Sequence, residues 1–196
     1  MSGTHVLVPI KSFRNAKVRL AGALPPQERA ALAKRMADRV LAAAGALPVS
    51  VVCDDVDVAS FAEARHAHVI WRPGLGLNAA VTDGVEQLTT DQGAVEVIVA
   101  HADLPLADDL TRLEGFAGIT LVPDRRDDGT NVVCVPTRLG FSFSYGPGSF
   151  ERHRREADRL RIPYRVLRDP RLGWDVDVPA DLELPDLPEL PELPCS

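Results

Sequence analysis

Short apolar runs of strand length alternate with helical stripes through the first half of the chain. His5–Ile10 (HVLVPI) is the first such run, and a basic loop from Lys11 to Arg19 follows it. Pro25 and Pro26 then open a helix, because proline suits the first helical turn, where its missing N–H would have no partner anyway. Ala33, Met36, Ala37, Val40, Leu41 and Ala44 recur at the three-and-four spacing of one buried stripe, which Gly45 and Pro48 end. Val49–Cys53 predicts a second strand, Val58–Arg65 a short helix and Val69–Trp71 a third strand. Asn78–Leu88 predicts a helix entered through the loop Pro73-Gly74-Leu75-Gly76-Leu77. Val95–Ala100 (VEVIVA) is the most apolar run and has the pattern of a central parallel strand covered on both faces.

Strands that alternate with helices imply βαβ units with right-handed crossovers, hence an α/β domain with a mostly parallel, Rossmann-like sheet between two helical layers. Ligands of such sheets sit beyond the carboxyl ends of the strands, which singles out Lys11, Asp103 and Asp177. The second half is less regular. Ile119–Val122 and Val132–Val135 predict strands separated by the turn-rich segment Pro123–Asn131, and Ser149–Leu160 predicts a helix with Ser149 as its N-cap. Prolines at 185, 188, 191 and 194 forbid helix near the end, so residues 1–183 are expected to form the domain and residues 184–196 a Pro-rich extended tail.

Length and composition narrow the class. The 196 residues, 45% hydrophobic and 26% charged, suit one globular domain with a sizeable core. A net charge of −6 gives no electrostatic support to general nucleic-acid binding. No apolar run approaches a membrane span, and the N-terminus lacks the charge and apolar pattern of a signal peptide. The three cysteines, Cys53, Cys134 and Cys195, have no paired spacing, so free thiols and a cytoplasmic location are expected.

Five segments are candidates for chemistry. Lys11, Arg14, Lys17 and Arg19 crowd one loop after a strand and can surround a polyphosphate, although no glycine-rich cradle accompanies them and a solvated basic loop would look the same. Asp103, directly after the apolar strand, can hold Mg²⁺ or merely cap a helix before Pro105, and His101 beside it reads as a supporting group. Asp175 and Asp177, two apart on a strand, would share a face, either around a cation or at an exposed strand end. Gly146, Gly148 and Ser149 at a helix start can form an anion site or a simple cap. The arginines from Arg152 to Arg171 read as a solvated face paired with Glu156 and Asp158, with a contact surface for an anionic partner as the lesser reading. Ser149 and His153 lack the sharp strand-to-helix turn of a nucleophilic serine.

Taken in order, several segments resemble one family: Lys11 with Lys17-Val18-Arg19-Leu20, Gly76-Leu77-Asn78, Ala102-Asp103-Leu104-Pro105-Leu106, Asp124-Arg125 with Gly129-Thr130-Asn131, Tyr145 to Phe150, and Asp175-Val176-Asp177-Val178-Pro179. The set is similar to the guanylyltransferases of deazaflavin coenzyme F-420 biosynthesis. That resemblance implies a nucleotide-diphospho-sugar-transferase-like fold, shared with the molybdenum-cofactor guanylyltransferases. It implies transfer of GMP from GTP to phosphoenolpyruvate, 2-phospho-L-lactate or 3-phospho-D-glycerate, with release of pyrophosphate. Phosphoenolpyruvate is favoured because Gly129-Thr130 and Gly146-Pro147-Gly148-Ser149 resemble the bacterial branch.

Carried onto this chain, the resemblance makes Asp103 and Asp177 ligands of Mg²⁺, with Asp175 a weaker candidate. Lys11, Lys17 and Arg19 would neutralise phosphate charge, and Lys17, Arg19, Gly76 and Asn78 would hold the nucleotide, the last two beside the guanine. Thr130, Gly146 and Ser149 would bind the phosphoacid. Val178 stands where threonine is common, and His101 where smaller residues are usual. The expected partners are GTP and a small phosphoacid, with the product handed to a downstream transferase. A homodimer is compatible with this picture, and neither nucleic acid nor membrane is expected. Two rivals remain: a molybdopterin nucleotidyltransferase, which normally carries a glycine-rich loop where this chain has Pro9-Ile10-Lys11-Ser12-Phe13, and a non-catalytic nucleotide sensor of the same fold.

Overall fold

The structure, a computed structural model, describes residues 3–185; the Pro-rich tail from residue 186 onward, with Cys195, lies outside them. The chain runs β1 (Thr4–Pro9), α1 (Pro26–Ala42), β2 (Val49–Cys53), α2 (Val56–Glu63), β3 (His68–Trp71), α3 (Leu77–Asp91), β4 (Glu96–Ala100), β5 (Ile119–Pro123), β6 (Thr130–Pro136), α4 (Ser149–Leu160) and β7 (Tyr164–Val166). One seven-stranded sheet has the order β3-β2-β1-β4-β6-β5-β7. Only β6 runs against the others.

Strand alternation sorts the core into two layers. Val6 and Val8 of β1 with Ile98 and Ala100 of β4 pack under Ala37 and Val40 of α1 and Phe61 of α2. Leu7, Val97 and Val99 point the other way, toward Val81, Val85 and Leu88 of α3 and Phe150 of α4. Both central strands are thus buried on both faces, which is why β1 and β4 read as continuous apolar runs.

Three details differ from the sequence reading. First, α2 starts two residues early, because the Asp55 carboxylate accepts the N–H groups of Asp57 and Val58 at 2.9 and 3.2 Å and caps it at Val56. Second, β4 has a parallel neighbour, β1, on one side only. On the other side β6 is antiparallel, because Asp124 folds the 124–129 turn by accepting the N–H groups of Arg126, Asp128 and Gly129, which returns the chain as a hairpin instead of a crossover. Third, β7 is a half-buried edge of three residues, too short to leave a pattern. Cys53 and Cys134 are buried free thiols. Among the described residues no helix is long and apolar enough to cross a membrane.

Candidate active site

A cavity of about 320 Å³ opens beyond the carboxyl ends of β1, β2 and β4, with Ile10, Phe13, Lys17, Asp54, Leu77 and Asp103 in its wall. This is the place the fold reserves for ligands. The 11–19 loop forms one side of it. Leu20, fully buried in a small cluster with Met36 and Val176, anchors the loop, and Lys17 turns into it in the left-handed region at φ 54° and ψ 43°. A lysine there costs about 1–2 kcal/mol of backbone energy, and the contacts of its ammonium offset that cost.

Lys17 Nζ donates to Asp103 Oδ2 at 2.6 Å and to Asp177 Oδ1 at 3.1 Å, with its side chain only 11% exposed. Burial alone would lower its pKa, but Asp103 and then Asp177 outweigh burial and raise it. Arg19 reaches Asp177 Oδ2 at 3.5 Å from a largely exposed position. Of the three predicted cations, Lys17 and Arg19 therefore meet the carboxylates, whereas Lys11 lines the exposed rim of the cavity.

The segment carrying Asp175 and Asp177 is not a strand. It is an extended loop whose N–H groups are claimed by other partners than a neighbouring strand: Val176 donates to the Asp103 carbonyl at 3.2 Å, and Asp177 and Val178 donate to Asp181 Oδ2 at 2.7 and 2.9 Å. Arg125 binds the Asp175 carbonyl at 3.1 Å, pairs with Asp181 Oδ1 and stacks 4.1 Å over the Trp174 ring. Asp181 has no exposed surface and also accepts from Arg126 at 2.7 Å. The loop is thus held from behind by one buried carboxylate and one arginine.

Asp103 and Asp177 meet at Lys17 without a strand, and Asp175 lies near enough to feel both of their charges. Burial first, then the charges of Asp103 and Asp177, push Asp175 up to about 6. Burial acts the same way on Asp103, but Lys17 outweighs it and holds that carboxyl below its usual range. Asp103 Oδ1 and Asp175 Oδ1 are both buried without a hydrogen-bond partner. No helix follows Asp103, so the capping alternative falls. Among the described residues no three His, Cys, Asp or Glu side chains form a ready metal cage. Two orphaned carboxylate oxygens beside Asp177 nevertheless fit Mg²⁺, which takes oxygen donors, usually from one or two protein carboxylates, and completes its shell with water and substrate phosphates.

The glycine-rich turn before α4 differs from expectation. Gly148, at φ 71°, occupies the cap position, and Ser149 is the first helical residue, so it is not the N-cap. Its Oγ instead accepts the Thr130 N–H at 3.0 Å. The first amides of α4 are also taken: Gly148 donates to the Asp128 carboxylate, Ser149 to the Gly146 carbonyl and Phe150 to the Asp128 carbonyl. His153 Nε2 accepts the Ser144 N–H at 2.9 Å, which places the ring proton on Nδ1, 3.0 Å from Thr130 Oγ1. Thr130 and Ser149 are both buried, use hydroxyl lone pairs inside the protein, and are not in the wall of the cavity. Tyr145 packs tilted against His101 and edge-to-face against His153, at 4.7 and 5.0 Å between ring centres, and joins this network to the Asp103 loop.

Burial first, then the Arg152 charge, pushes His153 down to about 4. Because the folded state holds the neutral ring, stability is fully present above the unfolded pKa near 6.5 and falls as pH drops toward 4, by about 3 kcal/mol in all. Urea denaturation at pH 7 and pH 4.5 is expected to show this loss, and His153→Gln is expected to lack that share of it; equal losses in the two proteins would refute the buried neutral histidine.

Asn78 and Gly76 stand at the start of α3, Gly76 as its cap residue. Asn78 Oδ1 accepts the Tyr145 N–H at 2.7 Å, so its amide straps α3 to the 141–148 loop. In that stretch Leu75, Leu77 and Ala80 line the cavity.

The chain is similar to known proteins along nearly its whole length. The family model described as "Guanylyl transferase CofC like" matches residues 4–184. The chain belongs to that family. A phosphoenolpyruvate guanylyltransferase of Sphaerobacter thermophilus is 36% identical, covering 92% of this chain and 91% of that one. A 2-phospho-L-lactate guanylyltransferase of a Methanocaldococcus species is 27% identical, covering 90% and 78%. The fold matches a putative nucleotide-diphospho-sugar transferase of Desulfovibrio desulfuricans with a TM-score of 0.73 at 19% identity, over 93% and 85% of the two chains.

The guanylyl transferase CofC-like match takes in all three acids, Lys17 and the Thr130–Ser149–His153 network. The sequence reading missed three supports of the site. His153 was visible only as a residue one turn after Ser149, Asp181 only as an acid after Pro179, and Asp54 only as the first residue past a strand.

Proposed function

We propose that this chain is a guanylyltransferase that moves GMP from GTP to a phosphorylated three-carbon acid, phosphoenolpyruvate in the first place, and releases pyrophosphate. The observation that carries the reading is the Lys17 ammonium set between Asp103 and Asp177 at the wall of the nucleotide-sized cavity. The names of the relatives supply the nucleotide and the acceptor class.

The nucleophile is a phosphate oxygen of the acceptor, already anionic, so no general base is needed. Its bond to the α-phosphorus forms as the bond from that phosphorus to the β-phosphate bridging oxygen breaks, and pyrophosphate leaves with the electron pair. The site must align these groups and neutralise charge. Mg²⁺, when bound, supplies neutralisation at the phosphates, and Asp103 and Asp177, with Asp175 beside them, are the residues to hold it. Lys17, Arg19 and Lys11 add positive charge along the phosphate chain. Thr130 and Ser149, joined by a hydrogen bond beside the turn at Gly146, are the residues we assign to the acceptor's carboxylate or phosphate. The loop through Gly76 to Asn78 lies against the nucleoside. The product, a guanylylated phosphoacid for coenzyme F-420 biosynthesis in the cytoplasm, passes to a transferase that consumes its activated phosphate.

Pyrophosphate release with GTP, Mg²⁺ and each of the three phosphoacids tests the proposal. Release dependent on one of them is expected; release only with a molybdopterin acceptor, or none with any, would overturn it. Lys17→Ala is expected to raise the KM for GTP about tenfold, the value of one charge-assisted hydrogen bond. Arg155→Ala, which removes an exposed partner of Glu151, is expected to leave it unchanged, and equal effects of the two would remove Lys17 from the site.

A further inference from the structure

The cavity has a second polar pole, away from the three site acids. Its wall contains two carboxylates, Asp103 and Asp54. Asp103 follows β4 and Asp54 follows β2, with β1 between those strands, so the strand ends that the two acids follow are about 10 Å apart, two inter-strand spacings. That is the scale of a nucleoside between its α-phosphate and the far edge of its base.

The neighbours of Asp54 are already engaged. Asp55 caps α2, Asp57 pairs with Arg14 at 2.7 Å, and Arg72 is held by Asp83 and Gln87. No described side chain forms a hydrogen bond or ion pair with the half-buried Asp54 carboxylate. Leu75 and Leu77, each about two-fifths exposed, line the same cavity and give it apolar surface of the kind a flat ring covers. A carboxylate in such a wall that no cation pairs with is matched best by a ligand that brings two adjacent N–H donors.

We infer that Asp54 reads the Watson–Crick edge of guanine, accepting N1–H and the exocyclic N2–H together. The inference rests on the guanylyltransferase reading and adds the source of its base preference. Adenine would turn the lone pair of its N1 toward the carboxylate, and the site would reject it. Asparagine at the same place would accept N1–H through its carbonyl and donate through its NH₂, the complement of xanthine, which carries a carbonyl where guanine carries the amine.

The test is the affinity of the full-length protein for GTP, XTP and ATP, measured by calorimetry on the wild type, Asp54→Asn and Asp54→Ala. The wild type is expected to prefer GTP. Asp54→Asn is expected to lose about tenfold to a hundredfold in GTP affinity and to bind XTP in preference to GTP. Asp54→Ala is expected to lose GTP affinity without gaining XTP. A merely structural aspartate could not produce that reversal. If the wild type prefers GTP and Asp54→Asn keeps the same order of nucleotides, the assignment alone is overturned; if the wild type shows no preference for GTP over ATP, the guanylyltransferase reading falls with it.

Discussion

Asp103→Asn is expected to cut turnover about a thousandfold while the protein stays folded. The size follows from what the carboxylate does. A metal or cation clamp on a transferring phosphoryl group contributes several kcal/mol to the transition state, and each 1.4 kcal/mol is a factor of ten. The amide has nearly the same volume and can still accept from Lys17, and the backbone carbonyl that holds Val176 is untouched. The stability cost should therefore be about 1–2 kcal/mol, because the bond to Lys17 loses one of its two charges but is still made. Pyrophosphate release and a thermal melt on the same preparation check both halves. A folded Asp103→Asn protein with near-normal turnover would remove this residue from the chemistry.

Asp103 was legible in the sequence because the residue after a doubly buried strand has a fixed address in an α/β sheet. β4 announces itself through Val97, Ile98, Val99 and Ala100, each fully buried, and the chain leaves it at the ligand edge. Lys17 was legible by type but not by geometry, since nothing in a basic loop tells which cation turns left-handed and inward. The second half was harder for a definite reason. Its turns and caps are made by side chains that act across long sequence separations: Asp128 on the amides of α4, Ser149 on Thr130, Asn78 on Tyr145. Ser149 has the composition of an N-cap, yet Gly148 can take the left-handed backbone at the cap position, and Thr130 provides a better use for the hydroxyl. The pair Asp175 and Asp177 was read as one face of a strand, and the convergence holds although the strand does not. What replaces the strand is Asp181, whose carboxylate takes over two of the loop's N–H groups.

Asp181→Asn should accordingly damage both the fold and the site, in a way that separates the two. The carboxylate is fully buried and accepts from two backbone amides and two arginines. Burial would raise its pKa, but the N–H groups of Val178 and Asp177, then Arg125 and Arg126, outweigh burial and hold it at about 2. Asparagine keeps one acceptor oxygen and turns an NH₂ toward donors, leaving Arg125 or the loop amides unpaired. Breaking a buried ion pair from one side costs about 3–5 kcal/mol, and in a domain of this size that lowers the melting temperature by about 10 °C. Leu88→Ala, in the core of α3 on the opposite face of the sheet, is expected to destabilise by a similar amount, about 2–5 kcal/mol, without touching the site. Assayed well below both melting points, Leu88→Ala should turn over like the wild type. Asp181→Asn should need at least tenfold more Mg²⁺ for half-maximal rate, because Asp177 is no longer held where Lys17 and Arg19 meet it. If the two variants show the same metal dependence, Asp181 is a stability residue alone, and the loop that carries Asp177 keeps its place without it.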